Sequence, residues 1–230
     1  MEALAVIWAP VRTLSRVAEE RRVLLAFVVV ALYAALGLIE IVLAVFFFFP
    51  QLPSGAPRLP PGFEDLLSLI EVFSLIYAVT YPFVWWLLVS GLMHLVTRFF
   101  GGTGPFSGTL AIVGIAQMPF VINTVIGFPI AALQILLLPE GLTLENFEAT
   151  SPVVTAVGWL NPLLGLAFLL WHAALVVIGA AFARRVGYGE SASSCAISCT
   201  GCLGLIILTF VVIVVVFAVF TGALDSARPA

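Results

Sequence analysis

The sequence predicts an all-α membrane protein, a polytopic bundle of five transmembrane helices with a short amphipathic N-terminal helix on the cytoplasmic side. Two observations carry that reading. Hydrophobic residues make up 63% of the 230-residue chain and charged residues 9%, against roughly 25% charged in an ordinary soluble domain. A soluble fold of this length has no interior large enough for so much apolar surface, so the solvent must be lipid. The apolar residues are also gathered into five stretches, each longer than the ~20 residues that cross a ~30 Å hydrocarbon core. Inside lipid each stretch must satisfy its own backbone hydrogen bonds, which a helix does locally.

The elements follow in order. In residues 1–22, Val6, Ile7, Leu14 and Val17 alternate with Arg12, Arg16 and Glu20 at roughly helical spacing, and Trp8 stands near Pro10. Such a segment is expected to lie as an amphipathic helix on the cytoplasmic membrane face. Its charges, and the lack of a short apolar core before a small-residue cleavage site, argue against a cleavable signal peptide. The bundle proper is expected at 23–224, with a short outer tail at 225–230.

The first two spans are expected at about Val23–Phe49 and Leu66–Thr97, the third at about Leu110–Leu138. The fourth stretch runs from about Pro152 to Ala183 and the fifth from about Cys195 to Leu224. The first, second and fifth read as plain spans. Pro119 and Pro129 lie in the third, and each removes a backbone donor and crowds the preceding turn. A kink, or a break near Gly127-Phe128-Pro129, is expected there. The fourth would reach ~48 Å as one straight helix at 1.5 Å per residue. With Pro162 ten residues in, it is read as an interfacial helix, Pro152–Leu160, followed by the span proper, or else both Pro-bearing stretches are simply tilted and kinked, as is common in membrane helices.

Arg12, Arg16, Arg21, Arg22, Arg98, Arg184 and Arg185 fall on one side of this topology and only Arg58 and Arg228 on the other. That bias places the N-terminus in the cytoplasm and, with five spans, the C-terminus outside. Glu64, Asp65, Glu140, Glu145 and Glu148 make the outer loops acidic, and five prolines stiffen the loop Pro50–Gly62. The net charge of −3 gives no case for nucleic acid.

Several polar groups fall within or beside the spans: Glu40 in the first, Gln117, Asn123 and Gln134 in the third, Asn161 and His172 in the fourth. Buried polar groups in lipid mark either a substrate path or a network that holds helices together. Gln117, Asn123, Asn161, His172 and Glu40 are the candidates for a polar ligand cavity. His94 lies at the cytoplasmic end of the second span, within reach of water or headgroups. Cys195, Cys199 and Cys202 share one helical face. They are read as small packing residues, as sites of lipidation, or more weakly as metal ligands that lack a fourth partner. Gly101-Gly102-Thr103-Gly104 lacks the Lys and the strand of a phosphate-binding loop and reads as a tight turn. No Gly-x-Ser-x-Gly, His-Glu-x-x-His or pair of intramembrane aspartates occurs, so no enzyme and no cofactor are expected.

Certain segments resemble the Yip family, five-pass membrane proteins named for interaction with Ypt/Rab GTPases. They are Trp8-Ala9-Pro10-Val11-Arg12-Thr13 and the run from Gly91-Leu92-Met93-His94 through Arg98-Phe99-Phe100-Gly101-Gly102. Gly104, Phe106, Thr109, Leu110 and Gln117-Met118-Pro119 extend the likeness, as do Trp171-His172 through Ala183 and the small-residue-rich fifth span. His94 to Pro119 is the most specific part. The chain looks like a prokaryotic branch, without the long polar N-terminal region of eukaryotic members. The resemblance implies five helices, a cytoplasmic N-terminus and complexes with related membrane proteins. Eukaryotic members act in trafficking and membrane shaping, and the family supplies no catalytic residues. Expected partners are lipids and a second copy or relatives, because Gly158, Gly165 and Gly179–Ala181 allow close helix contact. The expected location is the prokaryotic cytoplasmic membrane. Two functions stay open: a membrane organiser or scaffold, and a transporter of a small molecule, ion or lipid that uses the third and fourth spans.

Overall fold

The structure is a computed structural model that describes residues 2–43, 63–137, 152–202, 204 and 211. Among these, the regular structure is helical: α1 (Glu2–Trp8), α2 (Pro10–Glu20), α3 (Val23–Leu43), α4 (Phe63–Phe99), α5 (Phe106–Ile115), α6 (Met118–Leu136) and α7 (Pro152–Arg184). A last helical stretch, α8, covers 188–202. Four segments are long and apolar enough to cross a membrane: Val23–Leu43, Val72–Phe99, Phe106–Leu133 and Thr155–Arg184. They correspond to the first four expected spans. The helical stretch α8 begins ahead of Cys195, where a fifth span is expected, and most of that stretch beyond Cys202 lies outside the described residues. So do the Pro50–Gly62 loop, the loop with Glu140, Glu145 and Glu148, and the 225–230 tail.

Of the two readings of the prolines, the continuous helix holds at Pro162 and Pro129. Pro162 does not divide the fourth span, because α7 runs unbroken from Pro152 to Arg184. Pro129 likewise lies inside α6, and Pro82 inside α4. The interruption of the third span falls earlier, at Ala116–Gln117 between α5 and α6. Pro119 explains that position. It has no N–H to offer the carbonyl of Ile115, and the chain tightens so that the Phe120 amide bonds Gln117 O at 2.9 Å.

The N-terminal segment is two helices that meet at Ala9, with Pro10 in the first turn of α2, where a missing N–H costs nothing. One side of the pair is sealed against protein: Val6, Leu14 and Val17 are buried, and α2 packs on α5 and α7. The centre of the bundle is α5, which touches α2, α3, α4 and α7. Small residues let it in. A Cβ on Gly114 would stand 2.6 Å from the Ala26 methyl and 2.8 Å from Trp86 Nε1. One on Gly179 of α7 would stand 2.3 Å from Ile112 Cγ2. Gly165 has nothing within 4 Å and contributes no such approach. Trp86 Nε1 donates to Leu110 O at 2.7 Å and ties α4 to α5 across that gap.

Candidate functional site

The break at Ala116–Gln117 is where the predicted polar residues begin to converge. With the Phe120 amide turned to Gln117 O, the Ala116 carbonyl is left for a partner outside its own helix. His172 of α7 supplies it, with Nδ1 2.7 Å from Ala116 O. A carbonyl only accepts, so the imidazole carries its proton on Nδ1. The ring also lies against Phe120, centroids 4.6 Å apart, and Phe120 stacks on Tyr33 of α3 at 5.8 Å. Gln117 is fully buried, and its Nε2 donates to Pro82 O of α4 at 3.4 Å. Its Oε1 has no partner among the described residues.

The other predicted members stand apart from this junction. Asn161 is eleven residues before His172 on α7, about 16 Å along a helix. Its Oδ1 faces Gly127 of α6, 3.3 Å from where a Cβ would be. Asn123 is half-buried on α6. Glu40 lines a different cavity of about 200 Å³ with Tyr33, Tyr77, Tyr81 and Thr124, formed by α3, α4 and α6, that is by the first three spans and not by the fourth. Tyr33 is the one link, since it touches Phe120 on one side and borders the Glu40 cavity on the other. The structure therefore gives one junction (Gln117, His172) and one neighbouring cavity (Glu40), not a single pocket. The side chain of Gln134 lies outside the described residues.

Of the cysteines, Cys195 and Cys202 are buried and Cys199 is exposed. The sulfurs of Cys195 and Cys199 are 4.0 Å apart. Among the described residues no group of three or more His, Cys, Asp or Glu side chains converges as a metal site.

A second polar assembly, which the sequence did not announce, closes the arginine-rich end. Arg184, the last residue of α7, is 2% exposed. Its Nε donates to Thr97 Oγ1 at 2.9 Å and its Nη2 to Gly102 O at 2.8 Å. The Thr103 amide returns a bond to Arg184 O at 3.0 Å. The α4–α5 connection is thus laced to the end of α7. Gly101, at φ 83, ends α4 in the left-handed region that glycine favours. Gly104 is pressed so close to α7 that a Cβ would meet Ala183 O at 1.7 Å. The readable signal was the two-glycine turn beside Arg98; nothing local said that Arg184 would reach it.

Residues 4–220 match the Yip1 domain. The chain belongs to the Yip1 family. This Yip1-family chain is also similar to an uncharacterized protein of the archaeon Methanocaldococcus jannaschii, at 33% identity over 72 residues. That match takes in 31% of this chain and 51% of the relative, so the chain spans about half the length of the curated protein it matches. The archaeal likeness supports the prokaryotic branch. No solved structure matches. Family and spans together make this a multi-pass membrane protein.

Proposed function

We propose that this Yip1-family chain is a non-enzymatic organiser of the bilayer, acting at the cytoplasmic face of a prokaryotic membrane through its N-terminal helix pair. One observation carries the reading: α1–α2 is clamped to the bundle by Val6, Leu14 and Val17 while Leu4, Trp8 and Val11 stay exposed. Trp8 is 84% exposed, and Arg12, Arg16 and Arg21 are exposed on the same short segment. Apolar groups beside arginines are what a helix needs to sit at an anionic headgroup boundary. Rigidly held there, the pair displaces headgroups on one leaflet only, which bends a membrane or recruits others of its kind. Copies of this chain or related membrane proteins are the expected partners.

The test is reconstitution of the full chain into vesicles containing anionic lipid, imaged in vitreous ice. Wild type is expected to narrow or tubulate vesicles in proportion to its density. Trp8→Ser with Leu4→Ser is expected to remove that effect with the bundle still folded. Unchanged vesicles at high density of wild-type protein would sink the reading.

A second reading, transport of a small molecule, ion or lipid, is favoured by the cavity at Glu40. Solute flux in the same vesicles that Glu40→Gln abolishes would support it. No flux above protein-free vesicles by the wild-type chain would remove it, and flux that survives Glu40→Gln, His172→Ala and Asn161→Ala would place the path elsewhere.

A further inference from the structure

Three membrane spans end together at the arginine-rich end of the bundle, at Phe99, Phe106 and Arg184. Between them lies a cavity of about 450 Å³ whose walls include His94, Arg98, Gly102, Thr103, Phe106 and Arg184. No carboxylate lines it. Arg184 is almost wholly buried, yet the two groups it bonds, Thr97 Oγ1 and Gly102 O, are both neutral. Among the described residues neither Arg184 nor Arg98 makes an ion pair. A buried cation without a countercharge is costly, and a second guanidinium on the same wall raises the cost. His94 stands edge-on to Phe106, centroids 5.3 Å apart, and its Nδ1 is buried with no partner among the described residues. The wall also holds the start of α5, where Pro105 O takes the Gly108 amide at 3.2 Å and the Phe106 and Ser107 N–H groups are left at the positive end of the helix dipole.

Arginines at helix ends often serve only the terminal carbonyls, and Gly102 O accounts for one such bond. That explanation leaves Arg98, the orphaned His94 nitrogen and the missing countercharge untouched. We propose that this cavity binds a phosphate group of net negative charge, presented either by an anionic lipid headgroup or by a soluble phosphate. Guanidinium forks and helix N-termini are the donors that suit such an oxyanion. The position, level with the ends of three spans, is headgroup depth. The adjacent Gly101–Gly104 turn lacks the lysine and the strand of a nucleotide-binding loop, so a compact phosphate monoester or diester fits better than a nucleotide. This site is independent of the α1–α2 wedge and could stand if that reading fell.

The full chain would be purified with equal phosphatidylcholine and phosphatidylglycerol and the retained lipids counted by native mass spectrometry. In parallel, inorganic phosphate would be titrated onto the chain in phosphatidylcholine nanodiscs, with thermal midpoint as readout. Selective retention of phosphatidylglycerol alone assigns the site to a lipid headgroup, and a response to inorganic phosphate assigns it to a soluble one. In either case Arg98→Gln is expected to weaken the response about tenfold, and Arg98→Lys to restore most of it. The midpoint without ligand is expected not to fall, because Arg98 is exposed and its charge opposes that of Arg184. Equal retention of both lipids with no response to phosphate overturns the site even if a variant fails to fold. So does a response that Arg98→Gln and His94→Gln leave intact.

Discussion

α5 and α6 are two halves of one membrane span, both strongly apolar, and they meet opposite fates. From Gly108 to Ile115 every residue of α5 except Leu110 is buried. Among the residues of α6 whose side chains are described, only Met118, Pro119 and Val121 are, while Val125, Ile126 and Leu133 face outward. Hydrophobicity does not separate the halves, since lipid tails are as apolar as the side chains. Size does. Gly108, Ala111 and Gly114 repeat every three residues along α5 and let neighbouring backbones approach, whereas α6 presents Phe120, Ile122, Val125 and Phe128. In a bilayer, close contact rather than escape from the solvent selects the helix that goes to the centre.

Four substitutions break or sharpen that contrast. The largest effect is expected where α5 is anchored: Gly104→Ala forces its methyl into the Ala183 carbonyl and should cost about 4 kcal/mol or more, read as loss of monodisperse protein on size exclusion. Gly114→Ala places a methyl against Ala26 and Trp86, with an expected loss of about 1–3 kcal/mol in reversible unfolding in mixed micelles. At the junction of the two halves, His172→Phe keeps the ring against Phe120 but removes the donor to Ala116 O; about 1 kcal/mol should be lost. On the outward half, Leu133→Ala should change stability by no more than about 0.5 kcal/mol. A Leu133→Ala effect as large as that of Gly114→Ala would show that α6 is covered by protein, for instance by a second copy, and the crosslinked oligomer would identify it.

Much of this architecture was legible in the chain. The four described spans stand where apolar length placed them, and the run from His94 to Pro119 marked the family that residues 4–220 confirm. Prolines were the poor guides. Pro162, Pro129 and Pro82 all sit inside continuous helices, because each removes only one bond, and a membrane helix can bear that where packing or side chains compensate. The chain breaks just before Pro119 instead, where His172 of α7 takes up the Ala116 carbonyl that the break exposes and Gln117 reaches Pro82 O of α4. The five candidate polar residues do not share one location. They were too coarse as a site, since Glu40 opens onto one cavity while Gln117 and His172 are spent on neighbouring carbonyls.

By itself the sequence determined the solvent, the helical class, the approximate spans and the clustering of seven arginines in one set of connections. These follow from composition and from backbone bonds that a helix satisfies within its own segment. Only the tertiary structure decided which helix is central, where the third span breaks, and that Arg184 closes over Gly102 beside Arg98 and His94. The reason is range. A helix is a contract among residues four apart, whereas Arg184 and Gly102 are 82 positions apart, and no local pattern records which distant carbonyl a buried guanidinium will meet.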